Sequence, residues 1–537
     1  MKKKILQIVD VKDWAIGTLA NGVMRENPQF EWRQIAVHPR ALEYGEIDLL
    51  AVQREILWAD VIDAQYWRTL SQLLEKIPEL KEKLVLLTHH NEKNLTSYAW
   101  TPNVWHIAKT RHSEKKLKEA GYQNITYIPN SFNPDVYQWN AEYPPKAEKP
   151  VVGYVGRIVA WKGLKEIAKA CRELGYTLLF MGKPDDNDYL ASIPEEDQAV
   201  IDWSYMNCTD EEKLEFYRSL TLYCGNSRAG REVGTLGFIE ALACGVPVVT
   251  TPSGLAMDIG RDRENMRVVP FDDYEALRDA IKEVAESTSF AGEIRTAGWQ
   301  TIKNLSDGQM GIAYGRVFYQ MLAEDSRPWV SVVIPATYER SDLVARILNR
   351  LQEQSYKNIE AVVVWDEWEN YPMPEDYGKV NFPIVNLFTD KKEGYNLAMA
   401  RNIGTIHSGG DLLLFCDSRM LPEIDSIEKF VSKMEEIPPD QKVWMFGDKG
   451  ADKRTFVENF SMIRRQDLIN FGMFNERVTE YGAMSQELRS RALAQQFELI
   501  YVPEAKASQM CKTSWTPERR RSVIRMKELM TRLNFVK

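Results

Sequence analysis

The sequence predicts an α/β protein built from three successive domains, and three observations carry this prediction. Short apolar runs alternate with amphipathic stretches of helical period along the chain, which is the pattern of parallel sheets with crossover helices. Two breaks interrupt the alternation, NAEYPPKAEKP at 140–150 and DSRP at 325–328. A chain of 537 residues is also too long for one hydrophobic core. We therefore expect domains at 1–148, 149–325 and 328–537.

The first two segments contain similar sets of elements. The runs ILQIV, VIDAQY, KLVLLTHH, VWHIAK and ITYIPN predict the strands of the first segment, with helices such as SQLLEKIPELKEK between them. In the second segment, VVGYVGRI, TLLFMG and RVVPF predict strands, and LKEIAKACREL and DYEALRDAIKEVAES predict helices. A further helical pattern, DGQMGIAYGRVFYQMLAE, is expected to return over 305–325 to the first domain. The alternation restarts at WVSVVIPATYER, which opens the third segment.

Composition limits the classes of function. Hydrophobic residues make up 44% of the chain and charged residues 27%, as in soluble globular proteins. The net charge of −9 argues against a nucleic-acid partner, because such binding needs positive charge to neutralise phosphates. The chain lacks the run of about 18 apolar residues that a membrane span needs, and it starts with MKKKILQIVDVKDWAIG, so a cytoplasmic protein is expected. Its six cysteines are scattered without a CxxC pair, which predicts neither a disulfide framework nor a zinc site.

A candidate anion site lies where glycine-containing turns precede helices. In REVGTLGFIEALACGVPVVTT, Gly234 and Gly237 stand just before a predicted helix, whose free N–H groups and positive end attract anions. Upstream, GYVGRIVAWKG supplies Gly156 with the cations Arg157 and Lys162 at the end of a predicted strand. Two fixed cations neutralise a diphosphate, so a diphosphate-bearing ligand is expected here.

Two carboxylates accompany these cations. Glu232 and Glu240 belong to the same stretch, and carboxylates beside a phosphate would repel it. We therefore expect them to accept hydrogen bonds from hydroxyl groups, as a sugar and a ribose would supply.

The motif pair VGYVGRIVAWKG and REVGTLGFIEALACGVPVVTTPSG resembles the donor-binding half of family 4 glycosyltransferases, whose signature is a Glu-x7-Glu pair. The resemblance covers roughly residues 1–325 and implies the GT-B fold, two Rossmann-like parallel-sheet domains facing a cleft. It implies that Glu232 contacts the donor sugar and Glu240 the nucleotide ribose. The remaining residues expected at the donor are Arg157 and Lys162 on the diphosphate, with Gly156, Gly234, Gly237, Phe238 and Gly17 around it.

The first segment fits the same family. VLLTHHN looks like the acceptor-domain strand that ends in an active-site histidine, with His90 the closer match and His89 the alternative. ITYIPNSFNPDVY looks like the segment ahead of the interdomain linker. Gly17 in WAIGTLANG lies either in a loop that approaches donor or acceptor, or in a simple turn. Val233 and Thr235 interrupt the usual motif and leave the donor sugar open.

The third segment resembles family 2 glycosyltransferases, which have the GT-A fold. WVSVVIPATYERSDLVARILNRLQEQSYKNIEAVVVWDEW matches the opening of that family, and NLAMARNIGTIHSGGDLLLFCDSRMLP and FGMFNERVTEYGAMSQELRSRALAQQFELIYVPEA match its later motifs, over about 328–510. The family's metal-binding position reads Asp417-Ser418-Arg419 here, and an arginine repels a divalent ion. Its base position reads Met484-Ser485, neither of which takes a proton from a hydroxyl.

Three interpretations of this segment remain open. Gln509 stands where many relatives place a metal-binding histidine, whereas the resemblance implies that Asp366 is a candidate nucleobase ligand. The segment is expected to be a silent module for binding or assembly. It could instead be a metal-free transferase that uses Arg419 with Glu480 or Glu487, or a nucleotide-sugar sensor. The basic amphipathic end TPERRRSVIRMKELMTRLNFVK either docks on its own domain or lies on an anionic membrane.

Together the two resemblances imply a cytoplasmic, retaining glycosyltransferase of polysaccharide biosynthesis. It would move a sugar from a nucleotide-sugar donor to a glycan or lipid-linked acceptor, with no cofactor and no divalent metal. The alternatives are a bifunctional enzyme with two active sites and a non-catalytic scaffold that binds nucleotide sugars or glycans.

Overall fold

The computed structural model describes residues 2–12, 15–90, 95, 100–144, 147–182, 186–206, 210–233, 236–323, 325–366, 380–389, 396–450, 455–478, 482, 484–511 and 517–532. Contacts between Cα atoms divide the chain into a first unit, Met1–Tyr314, and a second unit, Gly315–Lys537. Within the described residues, the first unit contains two six-stranded sheets and the second an eight-stranded sheet. The predicted α/β fold class is confirmed.

The first sheet is parallel throughout, in the order β2-β1-β3-β4-β5-β6. Strands β1, β3 and β4 are almost entirely buried, because helices cover both faces of such a sheet. Its elements in chain order are β1 (Lys4–Val9), α1 (Ala15–Arg25), β2 (Glu31–Ala36), α2 (Pro39–Glu43), α3 (Leu49–Trp58), β3 (Val61–Ala64), α4 (Trp67–Lys76), a 3-10 turn (Pro78–Glu82), β4 (Leu84–His89), β5 (Val104–Ala108), α5 (Arg111–Glu119) and β6 (Ile125–Tyr127).

The second sheet is also parallel, in the order β12-β11-β10-β7-β8-β9. Its elements are β7 (Val151–Val155), a 3-10 turn (Ala160–Lys162), α6 (Leu164–Leu174), β8 (Thr177–Gly182), α7 (Asn187–Ala191), α8 (Glu195–Gln198), β9 (Ile201–Met206), α9 (Asp210–Ser219), β10 (Leu222–Gly225), α10 (Leu236–Ala243), β11 (Val248–Thr250), α11 (Ala256–Ile259), β12 (Arg267–Val268), α12 (Tyr274–Glu286), α13 (Thr288–Ile302) and α14 (Asp307–Met321).

The third sheet is mixed, in the order β15-β14-β13-β16-β19-β18-β20-β17. Strands β13 to β16 are parallel, whereas β19 and β17 run antiparallel to their neighbours. Its elements are β13 (Val330–Ala336), a 3-10 turn (Tyr338–Arg340), α15 (Ser341–Gln352), β14 (Ile359–Trp365), β15 (Ile384–Phe388), α16 (Leu397–His407), β16 (Leu412–Cys416), β17 (Met420–Pro422), α17 (Ser426–Glu435), β18 (Val443–Asp448), β19 (Phe460–Arg464), α18 (Arg465–Phe471), α19 (Met484–Ala494), β20 (Glu498–Gln509) and α20 (Pro517–Arg532).

Helix α14 packs against the elements of the first sheet. Asn27 Nδ2 donates to the Gly311 carbonyl at 2.7 Å, and Thr88 Oγ1 lies 2.9 Å from Tyr314 Oη. A Cβ added at Gly311 would lie 2.4 Å from the Cβ of Glu26, so this approach needs a glycine. The first unit ends inside this helix, whereas the sequence places a boundary at 325–328. The domain boundaries read from the sequence stay predictions.

A buried lysine lies under the carboxyl edge of the first sheet. Lys109 follows β5 and is 1% exposed. Its Nζ atom lies 3.7 Å from Met310 Sδ and 5.1 Å from the centre of the Tyr314 ring. Burial lowers the pKa of Lys109 to about 7, against the opposing influence of Asp63 and Asp307. Desolvation of the ammonium group therefore outweighs its attraction to the two carboxylates.

This buried titration gives a testable pH dependence. Between about pH 7 and 10 the folded Lys109 is neutral while the unfolded lysine still holds its proton. The free energy of unfolding therefore rises with pH across this range, and the stability gained is lost again as the pH falls back to about 7. We expect Lys109→Met to remove this slope, which amounts to at most about 1.4 kcal/mol per pH unit. Urea titrations of the full chain, with pulse proteolysis to detect unfolding of the first unit, measure this slope. The free energy of unfolding of wild type should rise relative to that of the variant from pH 7 upward.

The matched control is Lys118→Met, because the Lys118 side chain is 60% exposed. Its difference from wild type should stay constant with pH. A constant difference for Lys109→Met as well would show that the lysine keeps its ordinary pKa in the folded protein.

Candidate functional site

The predicted site residues lie at the point where the second sheet changes direction. From β7 the chain adds β8 and β9 on one side and then β10 on the other, so the loops after β7 and β10 diverge and leave a crevice at the carboxyl edge. The loop after β7 carries Gly156, Arg157 and Lys162, and the segment after β10 carries Glu232. Strand order therefore gathers residues that are far apart in the sequence.

An ion pair joins the two loops. Lys162 Nζ lies 2.7 Å from Glu232 Oε2, and the two side chains are only 9% and 13% exposed. Lys162 closes a 3-10 turn, and Gly163, at φ 59°, is the N-cap residue of helix α6. Low exposure strengthens the attraction between the charges. The pair accordingly places one cation and one carboxylate side by side in a shielded position.

Two glycines shape the surroundings of this pair. Gly156 has φ 146°, and an added Cβ would lie 3.3 Å from Lys162 Nζ, so its missing side chain leaves room beside the ammonium group. At Gly237 an added Cβ would lie 2.7 Å from the Cβ of Val155, so this glycine lets helix α10 approach strand β7. Phe238 is buried in the core beside it. Gly234 lies outside the described residues.

Glu240 projects from helix α10 and is held by a tyrosine. Its Oε2 atom accepts a hydrogen bond of 2.6 Å from Tyr217 Oη. Burial and the nearby Glu240 carboxylate raise the pKa of Tyr217 well above its ordinary value, so the phenol stays protonated and donates. Tyr217, on helix α9, is absent from the sequence-based site, because only the folded chain shows its contact with Glu240.

Arg157 is an exposed residue of the loop after β7. Tyr154 Oη donates to the Arg157 carbonyl at 2.9 Å, which fixes the loop. Burial raises the pKa of Tyr66, and the charge of Arg157 is among those that oppose the rise. Because Tyr66 follows β3, the guanidinium lies within electrostatic reach of the first sheet.

The two candidate histidines have different surroundings. His89 is the last residue of β4, is 2% exposed, and its Nε2 atom lies 3.0 Å from His106 Nδ1. His90 follows the strand, is half-buried, and its Nε2 atom lies 3.3 Å from Gln65 Oε1. Burial lowers the pKa of His90 to about 3. The more accessible His90 is thus a neutral imidazole at physiological pH.

Gly17 lies in helix α1 under the loop that follows β1. An added Cβ would lie 2.0 Å from the Lys12 carbonyl oxygen and 2.6 Å from that of Val11. The backbone of this loop therefore crosses the helix so closely that only glycine fits.

In the second unit, the residues at the family's metal and base positions form one ion-pair network. Arg401 is fully buried, with Asp417 Oδ1 and Glu458 Oε1 each 2.8 Å from its guanidinium. Ser485 Oγ donates to Glu458 Oε2 at 2.6 Å, and Met484 Sδ lies 3.1 Å from Arg401 Nη1. Burial raises the pKa of Glu458, but the charge of Arg401 and the hydrogen bonds from Arg401, Ser485 and the backbone together outweigh burial, and the net pKa is lowered. Arg401 and Glu458 were not among the sequence-based candidates.

The other candidates of this unit are placed as follows. Arg419 Nη2 lies 3.8 Å from Asp417 Oδ2, and Gln509 pairs in the sheet with the residue after Arg419. Glu487 is 1% exposed and forms an ion pair of 2.9 Å with Arg491. The backbone N–H of Asp366 donates to the Ala336 carbonyl at 3.0 Å. Glu480 lies outside the described residues.

Two features are absent from the described residues. Within that part of the chain, no three histidine, cysteine, aspartate or glutamate side chains are grouped as metal ligands. No described helix combines the length and hydropathy needed to cross a membrane.

Family models match both segments. Residues 136–299 match the model of glycosyl transferases group 1, and residues 331–485 match that of glycosyl transferase family 2. The chain therefore joins a group 1 segment, of the GT-B type, to a family 2 segment, of the GT-A type. The predicted combination of the two modules is confirmed.

Individual relatives are distant. A capsular polysaccharide biosynthesis glycosyltransferase of Staphylococcus aureus, CapM, is 27% identical over 171 residues, which are 30% of this chain and 43% of that protein. The chain thus spans less than half the length of this curated relative.

Solved structures share a fold with about 60% of this chain. Sucrose-phosphate synthase of Thermosynechococcus elongatus is 16% identical, with a TM-score of 0.52, over 60% of this chain and 100% of that one. HepE of Anabaena, solved with UDP-glucose, is 15% identical, with a TM-score of 0.50, over 59% and 99%. At these identities the likeness supports the fold alone.

Proposed function

We propose that this protein is a retaining glycosyltransferase of polysaccharide biosynthesis. It moves a sugar from a nucleotide-sugar donor to a glycan or lipid-linked acceptor, and the group 1 segment carries out the transfer. The observation that carries the proposal is the shielded Lys162–Glu232 pair between two glycine-bearing loops. The group 1 family match and the name of the CapM relative support the same activity.

Lys162 and Arg157 bind the diphosphate of the donor in this proposal. As the bond from the anomeric carbon to the phosphate oxygen breaks, negative charge grows on the diphosphate, and a desolvated cation stabilises it strongly. Lys162 is already desolvated and held in place by Glu232. When the phosphate replaces Glu232 as the partner of the Lys162 ammonium group, the carboxylate of Glu232 accepts hydrogen bonds from the hydroxyls of the sugar.

Glu240 binds the ribose of the nucleotide. A carboxylate accepts hydrogen bonds from two neighbouring hydroxyls, and Tyr217 fixes the orientation of this one. The acceptor hydroxyl forms the new bond to the anomeric carbon and passes its proton to the departing phosphate or to an acceptor-side group. The resemblance to family 4 supports a retaining course with an α-linked product and no divalent ion.

The family 2 segment serves binding or assembly and transfers no sugar. Asp417 neutralises Arg401 and lies beside Arg419, so the metal-ligand position is occupied by ion pairs within the protein. Ser485 at the base position donates to Glu458. Glu487, which is the described one of the two candidate bases, is buried and paired with Arg491.

We further propose that the protein is cytoplasmic and touches the membrane through helix α20. Met526 and Ser522 are buried on one face of this helix, whereas Arg520, Arg521 and Arg525 are exposed. Exposed arginines on an amphipathic helix attract anionic lipid headgroups, where a lipid-linked acceptor would be.

The first prediction of the proposed function concerns turnover. A donor is chosen by thermal stabilisation with a panel of nucleotide sugars, because a ligand at 100 times its Kd adds about 2.7 kcal/mol. Lys162→Met and Arg157→Met should then lower kcat about 100-fold in the presence of EDTA, because each removes stabilisation of the leaving group. Lys169→Met, which removes a lysine 44% exposed on helix α6, should leave kcat within about twofold.

Two results would contradict this proposal. Near-normal turnover of both variants would place the diphosphate elsewhere. Loss of wild-type transfer in EDTA, restored by manganese or magnesium, would show that a metal ion takes part.

The second prediction is that the family 2 segment makes no product of its own. Combining Glu232→Gln and Glu240→Gln should abolish all sugar transfer, measured by mass spectrometry of the products. A glycosidic product that persists in this double variant and vanishes with Asp417→Asn would prove a second active site. Asp417→Asn is preferable to alanine here, because its amide oxygen still accepts a hydrogen bond from buried Arg401.

The third prediction concerns the membrane. Replacing Arg520, Arg521 and Arg525 by glutamine should lower partition onto vesicles rich in phosphatidylserine about 100-fold, at about 1 kcal/mol for each charge. Flotation of the full chain measures this partition.

The matched control removes three exposed charges from helix α5, at Arg111, Lys115 and Lys118. This variant should float like wild type. Equal loss in both variants would show that binding follows total charge and does not involve helix α20.

A further inference from the structure

A chain of hydrogen bonds leads from His90 into the interior of the first sheet. His90 Nε2 lies 3.3 Å from Gln65 Oε1, and Gln65 Nε2 donates to Asp63 Oδ1 at 2.8 Å. Gln7 Nε2 donates to the other carboxylate oxygen, Asp63 Oδ2, at 2.9 Å. These residues lie on or just after strands β1, β3 and β4, beside the β1–β3 pair where this sheet changes direction.

The buried carboxylate fixes the orientation of the Gln65 amide. An ionised carboxylate only accepts hydrogen bonds, so the NH2 group of Gln65 faces Asp63 and its carbonyl oxygen faces His90. Gln7 is oriented independently, because its NH2 group also reaches the Ala20 carbonyl at 3.0 Å and its Oε1 atom accepts from Gln34 at 2.8 Å. A carbonyl oxygen cannot donate, so the proton between Gln65 and His90 belongs to His90 Nε2.

The charge states agree with this arrangement. Burial raises the pKa of Asp63 to about 6, so the carboxylate is ionised at neutral pH. Burial, with Lys109, lowers the pKa of His90 to about 3. A neutral imidazole holds one proton, and with that proton on Nε2 the lone pair is on Nδ1.

We propose that Asp63 and Gln65 are positioning residues that hold neutral His90 with its proton on Nε2, so that Nδ1 accepts a hydrogen bond from a sugar hydroxyl. The inference deepens the proposed function and rests on it for the identity of the ligand. The tautomer itself does not depend on a ligand. A sugar hydroxyl donates to Nδ1, whereas a sugar carboxylate presents only acceptors and is disfavoured at this position.

The tautomer is measured directly in the full chain with ¹⁵N-labelled histidine. Long-range ¹H–¹⁵N spectra separate the two ring nitrogens, and the signals of His90 among the six histidines are assigned by their loss in His90→Gln. Wild type should show the proton on Nε2 of His90. The proton on Nδ1 in wild type would overturn the proposal.

Asp63→Asn provides the sharpest test. Gln7 keeps its orientation and donates to the amide oxygen of the new asparagine. The NH2 group of the asparagine therefore faces Gln65. The Gln65 amide must then turn over and present its own NH2 group to His90. We expect the His90 proton to move from Nε2 to Nδ1, and an unchanged tautomer in the folded variant would contradict the proposal.

Gln65→Met keeps the test decisive if Asp63→Asn fails to fold. The methionine side chain offers no amide oxygen to His90 Nε2, so the ring-nitrogen shifts should move from a proton held on Nε2 toward a mixture of the two tautomers. Shifts unchanged from wild type in this variant would contradict the proposal. Thr69→Val is the control, since its buried hydroxyl bonds the Val37 carbonyl in the same sheet region at 2.9 Å, and its spectrum should match that of wild type.

The two proposals fail separately. If no nucleotide sugar is turned over, the proposed function falls while the tautomer and its response to Asp63→Asn still stand. If transfer is found and the tautomer is wrong, only the positioning role of Asp63 and Gln65 is lost.

Discussion

In each sheet of the first unit, the chain adds strands in one direction and then resumes on the opposite side of its first strand. This happens beside β1 in the first sheet and beside β7 in the second. Adjacent loops diverge at such a point and leave a crevice. Helices cover the rest of the sheet but not the polar groups at the bases of these loops. The Asp63–Gln65–His90 chain lies beside one of these points and the Lys162–Glu232 pair at the other. The order of the strands thus decides where uncovered polar chemistry can exist in this unit.

The two units differ in how many carboxylates surround a buried cation. Among the described residues, Lys162 forms an ion pair with the single carboxylate Glu232, and both side chains retain some exposure. Arg401 has two carboxylates and no exposure. Removing one partner from a buried network leaves an uncompensated charge, which costs several kcal/mol. A ligand can therefore exchange with the first arrangement far more easily than with the second.

Much of the fold could be predicted from the sequence, because buried parallel strands are continuous apolar runs. Strand β2, EWRQIA, was missed because it is an edge strand in which polar and apolar residues are mixed and none is fully buried. The cations and carboxylates of the candidate donor site were named from motifs, and their roles stay predictions. Tyr217, Gln65 and Glu458 were not, because their roles depend on side chains brought close only by sheet register and helix packing. The role of Gly237 was also seen only in the fold, where it brings a helix against a strand.

Asp417 also bears on how such chains are interpreted in genomes. Its carboxylate neutralises buried Arg401, so selection for a folded protein would keep an acid at this position whether or not sugar is ever transferred there. An aspartate at a motif position can therefore be present because it neutralises a buried arginine, and its presence does not by itself indicate catalysis. Counting such acids across related sequences would overestimate the number of working active sites, unless each arginine neighbour is examined as well.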